Sequence, residues 1–436
     1  MRDMIPELGL TRRDFAKLSA AGVLGAGMSG WLDILATRAA EQRQQNHKAC
    51  ILLWMDGGPS HKDTFDLKPG TEHAGEFSEI NTNVAGIKIS EHLPKIAQVM
   101  NRGALIRGMS TGEGAHGRAK HFMHTGYREG VGGLAYPSIG SIASDEIGDD
   151  TNPLPNYVCI GNTPNGSGSG FLGAAHQPLV VRDPARGVEN LAAYVERTQM
   201  DNRLGLLQEL ESGFNRTYQS NIGAAHRTTY QRAVSLMRDR GRRAFDVTLE
   251  SEQTRRRYGT SRFGQSCLMA RRLVEAGVSF VEVTLGGWDT HQRNWDRVRQ
   301  NSAQIDPAIN ALVNDLRTNG KLDDTLIVWM GEFGRTPRIN TRGNQPGRDH
   351  YPRAWTSAMW GGGIRGGQVI GATDAEGARV TERPVSAIDF LATVCSIIGI
   401  DYTKFNNTRI GRPIRLVDRG ANPIRELVPQ RQAANS

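Results

Sequence analysis

The sequence lacks the features of a zinc-thiolate, nucleic-acid-binding or multi-span membrane protein. Its four cysteines, at positions 50, 159, 267 and 395, are too far apart to form a C-x-x-C pair. The net charge is +8, but the basic residues form no compact run with interleaved aromatics, so we expect anionic small substrates and no nucleic acid. Beyond the amino terminus there is no long apolar run, so no transmembrane segment is expected in the mature chain.

The amino terminus has the layout of a twin-arginine export signal. The segment TRRDFAK (11–17) places two arginines ahead of a weakly apolar run, residues 18–36, that ends in small residues. An ordinary amphipathic helix is the alternative interpretation. We assign residues 1–40 to the signal and expect a periplasmic or extracellular protein exported by the twin-arginine route.

The segment CILLWMDGGPSHKDTFD (50–66) organises the rest of the chain. Residues 50–55 are apolar without alternation, which is typical of a strand buried on both faces of a parallel sheet. Asp56 follows directly, and a glycine pair lets the backbone turn beside its carboxylate. Because ligands bind at the carboxyl ends of strands in open α/β sheets, Asp56 is a candidate functional residue. An aspartate that caps its own loop is the alternative.

Two later segments repeat this arrangement. An apolar strand at 279–285 leads into GGWDTH (286–291), and another at 325–330 leads into GEFGR (331–335), with a helix at about 306–319 between them. The strand ends carry Asp289, His291 and Glu332. Together with Asp56, they would bring four metal-ligand side chains to one edge of the sheet.

Histidines lie in two further segments. His116 precedes a predicted helix over 117–125, whose amino terminus would favour an anion, whereas packing is the preferred interpretation of His121 and His124. His350 lies in the loop GRDHYP (347–352), beside an arginine and an acid.

The remaining chain is predicted more coarsely. We expect a capped helix over 90–100, loops around one strand over 138–176, a helical insertion at about 186–276, a helix over 386–398 and an irregular tail at 417–436.

The combination resembles the DUF1501 family of exported proteins, in the alkaline phosphatase-like, sulfatase-related superfamily. The resemblance lies in LLWMDGGPSHKDTFDLKPG (52–70), HGRAKHFMHTGYREG (116–130), GGWDTH (286–291), GEFGRTP (331–337), GRDHYP (347–352) and SAIDFLATVCSIIGID (386–401). It implies an α/β fold with a doubly wound, mostly parallel sheet sandwiched by helices. A single such domain would span residues 45–416.

The resemblance also implies an exported metal-dependent hydrolase of phosphate or sulfate esters, acting on an anionic small molecule or glycan ester. One or two divalent ions (Zn, Mn, Mg or Ca) would be bound. By position, Asp56 and Glu332 resemble ligands of one metal, and Asp289, His291 and His350 resemble ligands of the other. Arg335 or Arg348 would stabilise charge in the transition state through bidentate hydrogen bonds to a tetrahedral anion; a surface or ion-paired arginine is the alternative for each.

Three positions depart from the superfamily pattern. His116 lies nine residues before the Thr125-Gly126 pair, where a serine, threonine or modified cysteine nucleophile is expected. Phe333 stands where a histidine ligand is expected, and the spacing from Asp289 to His291 is shorter than usual. These departures favour the alternative of a non-catalytic envelope protein that keeps the fold and holds an anionic glycan or another envelope protein.

Overall fold

The computed structural model describes residues 47–188, 239–341, 345–408 and 411–429, with seven helical positions between 199 and 236. The predicted export signal lies outside these residues, as do residues 430–436 of the tail and most of 189–238 in the predicted insertion. Residues 1–47 form one unit, of which only His47 is described, and residues 48–436 form a second, compact unit. Among the described helices, none has the length and apolar character needed to cross a membrane. The domain bounds and the signal therefore stay predictions.

The strands of the described residues are numbered in chain order. They are β1 (Ala49–Met55), β2 (Glu79–Asn81), β3 (Lys88–Ser90), β4 (Gly103–Met109), β5 (Tyr157–Ile160), β6 (Leu179–Val181), β7 (Phe280–Leu285), β8 (Thr325–Met330), β9 (Gly334–Arg335), β10 (His350–Tyr351), β11 (Trp355–Gly361), β12 (Gln368–Ile370), β13 (Ala372–Thr373), β14 (Val380–Glu382), β15 (Phe405–Asn407) and β16 (Pro413–Arg415).

The described α-helices are α1 (His116–Thr125), α2 (Ile139–Glu146), α3 (Asp239–Ala244), α4 (Glu252–Arg257), α5 (Arg262–Glu275), α6 (Asn294–Thr318) and α7 (Ala387–Ile397). Local signals explain several of their ends. Gly126 ends α1 with φ 75°, and a capping box between Ser386 and Asp389 begins α7.

Eight strands form the central sheet in the order β12-β4-β11-β8-β1-β7-β5-β6. Strand β1 pairs in parallel with β7 on one side and β8 on the other, as expected for a strand that is buried along its whole length. Strand β11 runs antiparallel to both β4 and β8, and the other pairs in the sheet are parallel. The carboxyl ends of β1, β7 and β8 therefore meet at one edge.

Helices cover both faces of this sheet. Alternate residues of β1 separate the two sides: Ile51 and Leu53 belong to the apolar core shared with α5 and α6. Leu52 and Trp54 belong to the core shared with α1, α2 and α7. The predicted doubly wound, mostly parallel α/β sheet sandwiched by helices is confirmed.

The predicted helix over 90–100 is wrong in type and bounds. Strand β3 continues to Ser90, and a 3-10 helix follows at Ile96–Arg102. The buried carboxylate of Asp306 on α6 accepts hydrogen bonds from the backbone N–H groups of Lys95 and Ile96, at 2.8–3.1 Å. This long-range cap begins the helical turn later than the local sequence suggests.

The region 138–176 contains a helix as well as the predicted strand. Ser138 begins α2, since its side chain accepts a hydrogen bond from the backbone N–H of Ser141. Strand β11 was also missed, because its seven residues, Trp355–Gly361, follow a proline-containing loop and give no clear period. The helix expected at about 306–319 is longer in the structure and begins at Asn294.

Candidate metal centre

The carboxyl edge of the sheet brings the strand-end acids close together. Gly57 follows Asp56 with φ 115°, and a Cβ atom at Gly57 would lie 2.3 Å from the backbone nitrogen of Asp289. Only glycine allows this approach. The backbone N–H of Gly57 also donates to both carboxylate oxygens of Glu332, at 3.1 and 3.2 Å. Three strand ends are thus joined through one residue.

His350 reaches the same edge through a short two-stranded ribbon. Strands β9 and β10 are antiparallel, and His350 is paired with Arg335 in their register. Gly347 packs against the backbone of His291, where a Cβ atom would lie 2.1 Å from the carbonyl oxygen. The motifs GEFGR, GRDHYP and GGWDTH therefore meet in space, as the sequence predicted.

Asp289, His291 and His350 form a compact group of metal-ligand atoms, which we call the ligand triangle. Asp289 Oδ1 lies 3.2 Å from His291 Nε2 and 3.3 Å from His350 Nε2. The two Nε2 atoms are 2.9 Å apart. The Asp289 and His291 side chains are 46% and 42% exposed, so the triangle is accessible from solvent.

Hydrogen bonds on the far side of each ring orient the two imidazoles. His350 Nδ1 donates to the carbonyl oxygen of Gly114 at 2.9 Å, and His291 Nδ1 donates to Asp349 Oδ1 at 2.7 Å. In the neutral tautomer that these bonds select, each Nε2 carries a lone pair. Two lone pairs facing each other at 2.9 Å repel, so the triangle is an acceptor site that favours a shared cation.

His116 adjoins the triangle and lies between two carboxylates that favour its protonated form. Its Nδ1 donates to Glu332 Oε1 at 2.6 Å, and its Nε2 lies 3.4 Å from Asp289 Oδ2. Hydrogen bonds with Asp289 and Glu332 outweigh burial and raise the pKa of His116 to about 9. Ligand atoms of His116, Asp289 and His350 all lie within 4.8 Å of one another.

The pKa of Asp289 is lowered far below its usual range. Burial alone would raise it, but the hydrogen bond from His116 and the charge and hydrogen bond of Arg335 favour the carboxylate. Asp289 is therefore an anion, as a metal ligand must be.

Asp56 lies at the end of β1 but outside the triangle. Its Oδ1 is 2.5 Å from the Lys120 ammonium and accepts a hydrogen bond from Trp54 Nε1 at 3.2 Å. Lys120 was not predicted as a site residue. Its signal was its position four residues after His116, which places both on one face of α1.

Arg335 binds the protein more than it faces solvent. Its side chain is fully buried, and Nη2 pairs with Asp289 Oδ1 at 2.6 Å. Its guanidinium also donates to the carbonyl oxygens of Gly57, Gly58 and Arg348. Each guanidinium nitrogen has an acceptor inside the protein, so Arg335 holds Asp289 in place. Few N–H donors are left for the predicted contact with the transition state.

Arg348 belongs to a separate buried cluster. Its Nε and Nη2 donate to the two oxygens of Asp63, at 2.7 and 3.3 Å, and Asp63 also accepts from Asn294 at 2.9 Å. Carbonyl oxygens of His73, Thr336 and Pro337 accept its other bonds. The structure does not bring Arg348 to the triangle, so we do not include it in the proposed site.

Phe333 occupies a wall of the site. Its ring centroid lies 4.9 Å from that of His116 and 4.7 Å from that of His350. The side chain is fully buried. Phe333 therefore packs against two histidine rings. The superfamily pattern has a histidine metal ligand at this position.

One further acid escaped sequence reasoning. Glu282 lies in the middle of β7 and is fully buried, yet it accepts hydrogen bonds from His124 at 3.1 Å and from the Tyr157 hydroxyl at 2.7 Å. Its signal was an acid within an apolar strand. His124 therefore packs in the core, as expected.

Comparisons with known proteins give one family and several similar solved structures. No curated protein matches the chain. A sulfatase from Pseudoalteromonas sp. has 13% identity and a TM-score of 0.40, covering 86% of this chain and 72% of its own. The lipoteichoic acid synthase LtaP from Listeria monocytogenes has 9% identity and a TM-score of 0.35, covering 86% and 75%. Alkaline phosphatase from the Antarctic bacterium TAB5 has 14% identity and a TM-score of 0.35, covering 74% and 94%.

These similarities assign no role to any residue of the chain. The family model described as "Protein of unknown function (DUF1501)" matches residues 47–428, which is most of the sequence and includes the whole ligand triangle. The chain belongs to the DUF1501 family.

Proposed function

We propose that this protein is an exported, metal-dependent hydrolase of phosphate or sulfate esters. The observation that carries the proposal is the ligand triangle, in which one carboxylate oxygen and two imidazole nitrogens lie 2.9–3.3 Å apart. Both imidazoles are oriented by acceptors at Nδ1. Such supporting bonds are the rule for metal-binding histidines.

The donor set fits a zinc ion. Two imidazoles and one carboxylate are the protein ligands of several catalytic zinc sites, which keep a further position open. In a tetrahedral site with bonds of 2.0–2.1 Å, neighbouring ligand atoms are roughly 3.3 Å apart, close to the edges of the triangle. Asp289 Oδ1 can accept from Arg335 as well, because a carboxylate oxygen has two lone pairs.

Asp289, His291 and His350 would hold the metal. When bound, it would polarise the ester oxygen and lower the pKa of a water molecule. Arg335 keeps the Asp289 carboxylate in position, and Asp349 keeps the His291 ring oriented. His116 is held by Glu332 at the edge of the triangle, where it can donate a hydrogen bond from Nε2 to an oxygen of a bound ester.

The substrate would be an anionic small molecule or glycan ester. The exposed side chains of the triangle and the basic composition of the chain support a site open to anions from solvent. Export by the twin-arginine route would place the reaction in the periplasm or outside the cell. A protein exported in the folded state can acquire its metal before export.

The test is metal content together with ester turnover. We expect one zinc or manganese ion per chain in the purified protein, and loss of both metal and turnover of p-nitrophenyl phosphate or sulfate in Asp289→Asn. Asp296→Asn is the matched control, because Asp296 is an exposed acid at the start of α6. Absence of metal after reconstitution, or retention of metal in Asp289→Asn, would contradict the proposal.

A second candidate is a non-catalytic envelope protein that binds an anionic glycan or a partner. The observation in its favour is the engagement of Arg335 and Arg348 inside the protein, together with a histidine in place of the expected nucleophile. This candidate predicts tight binding of metal and anion without turnover of any phosphate or sulfate ester.

A further inference from the structure

The two acids expected to bind a first metal already carry cations of the protein. Asp56 is paired with Lys120 at 2.5 Å, and Glu332 is paired with His116 at 2.6 Å. Both oxygens of Glu332 also accept from the Gly57 N–H. Like the ligand triangle, these two acids lie at the carboxyl edge of the sheet. Unlike the triangle, each has a cationic side chain of the protein that already balances its negative charge.

Lys120 is connected to the triangle through His116 and through Asp56. His116 and Lys120 are one helical turn apart on α1, and His116 contacts the triangle at Asp289. The partner of Lys120, Asp56, is joined to the same segment, since its carbonyl oxygen accepts from the Trp288 N–H at 3.2 Å. The Lys120–Asp56 pair is thus tied to the Asp289 segment by two independent connections, one through the helix and one through the sheet.

The ammonium group of Lys120 has capacity for another partner. An ammonium offers three N–H donors, and Asp56 is its one charged partner among the described residues. The Lys120 side chain is 19% exposed and that of Asp56 is 30% exposed. A half-buried cation that still borders solvent can bind an anion more strongly than a surface lysine can.

We propose that Lys120 binds the tetrahedral oxyanion of the substrate, a phosphoryl or sulfuryl group, and takes the place of a second metal ion. The proposal rests on the metal-dependent function proposed above and adds that the site holds a single ion. Asp289, His291 and His350 would hold the single metal ion, and the Lys120 ammonium would donate hydrogen bonds to an oxygen of the tetrahedral group. Asp56 then positions Lys120 and is not a metal ligand.

The experiment is calorimetric titration of inorganic phosphate and, separately, sulfate into the metal-loaded protein and the metal-free protein. Lys120→Gln removes one charged hydrogen bond, so we expect affinity to fall roughly 10- to 150-fold for the preferred anion. The metal content should not change. Arg118→Gln is the matched control, since Arg118 is on the same helix and paired with Glu113, but is 63% exposed. It should leave both quantities unchanged.

A second variant separates binding from damage to the fold. Asp56→Asn frees Lys120 from its counter-charge, so anion affinity should rise while the metal remains bound. A merely structural ion pair would not respond in opposite directions to the loss of its two members. The phosphate and sulfate titrations show which of the two anions is preferred.

Each outcome decides between the claims. Two metal ions in the wild-type protein, loss of metal in Asp56→Asn, or unchanged affinity for both anions in Lys120→Gln would overturn the role given to Lys120. A wild-type protein that binds no metal would overturn the proposed hydrolase function. It would also overturn the proposal that Lys120 takes the place of a second metal ion. The titration of the metal-free protein would still decide whether Lys120 binds the anion.

Discussion

Arg348 and His350 lie two residues apart in one motif, yet they belong to regions with opposite properties. Arg348 and Asp63 form a closed cluster in which both side chains are buried and every guanidinium nitrogen has an acceptor. His350 belongs to the ligand triangle, in which acceptor atoms face one another and the side chains are 26–46% exposed. A closed set of donors and acceptors stabilises the fold, whereas acceptor atoms that face one another are suited to hold a cation.

The largest effect is expected from opening the closed cluster. Asp63→Ala would leave the Arg348 guanidinium buried without its counter-charge, which costs about 3–5 kcal/mol of unfolding free energy. Urea denaturation followed by circular dichroism measures this loss. A change below about 1 kcal/mol, within the range of an exposed ion pair, would show that the cluster is less closed than its contacts indicate.

A pH effect of similar size is expected at His61, which begins the short 3-10 helix that ends at Asp63. Burial lowers the pKa of His61 to about 4, below the ordinary value of 6.5. Between these values the unfolded chain binds the proton and the folded chain does not, so stability falls as pH falls. The slope is about 1.4 kcal/mol per pH unit, or about 3 kcal/mol in all, and stability is fully present above pH 6.5.

His61→Gln tests this slope, because glutamine can still donate to the Gly377 carbonyl oxygen that His61 Nε2 contacts at 2.8 Å. Unfolding free energies of the two proteins should converge as pH falls from 6.5 to 4. Parallel curves over this range would mean that His61 takes up its proton in the folded protein as readily as in the unfolded chain, which would contradict the lowered pKa.

A smaller effect is expected from the support of the triangle. Asp349→Asn weakens the bond that orients His291, and loss of such a bond lowers metal affinity by roughly 10- to 100-fold. Competition with a chromophoric chelator measures the affinity. An unchanged affinity would show that His291 is not a ligand, since His350 is oriented separately by Gly114.

The smallest effect is expected at an ion pair outside both regions. Glu252 and Arg256 are paired on α4 at 2.5 Å, but both are about two-thirds or more exposed. Glu252→Ala should change the unfolding free energy by less than about 0.5 kcal/mol. If Glu252→Ala lowered the unfolding free energy as much as Asp63→Ala does, the buried pair would be no more important for stability than the exposed pair.

The sequence predicted the parts of this arrangement that depend on local patterns. Mainly apolar runs identified β1, β7 and β8, and the acids that follow them indicated the edge where the triangle lies. The resemblance in GRDHYP added His350. Patterns of this kind record burial, and burial on both faces is what a central parallel strand requires.

The sequence could not show which charges neutralise one another. Lys120 and Asp56 are 64 residues apart, and Arg348 and Asp63 are 285 apart, so their pairing depends on the completed fold. The same is true of Asp306, which caps a helical turn over 200 residues earlier in the chain. Residue type alone suggested that Arg335 and Arg348 would bind an anion, whereas their environments direct them to the protein itself.

Strand β11 determines when the central sheet can be completed. It is the last but one of the eight sheet strands along the chain, but it lies between β4 and β8, and it alone joins β4 and β12 to the rest of the sheet. Because it runs antiparallel to β8, its amino end lies at the carboxyl edge, only a short loop away from His350. Strands β4 and β12 therefore cannot join the rest of the sheet on a growing chain before about residue 361 has left the ribosome. The pairing of β4 with β11 spans about 250 residues, and pairings of such long sequence separation are slow to form, so the sheet is expected to be completed late in folding.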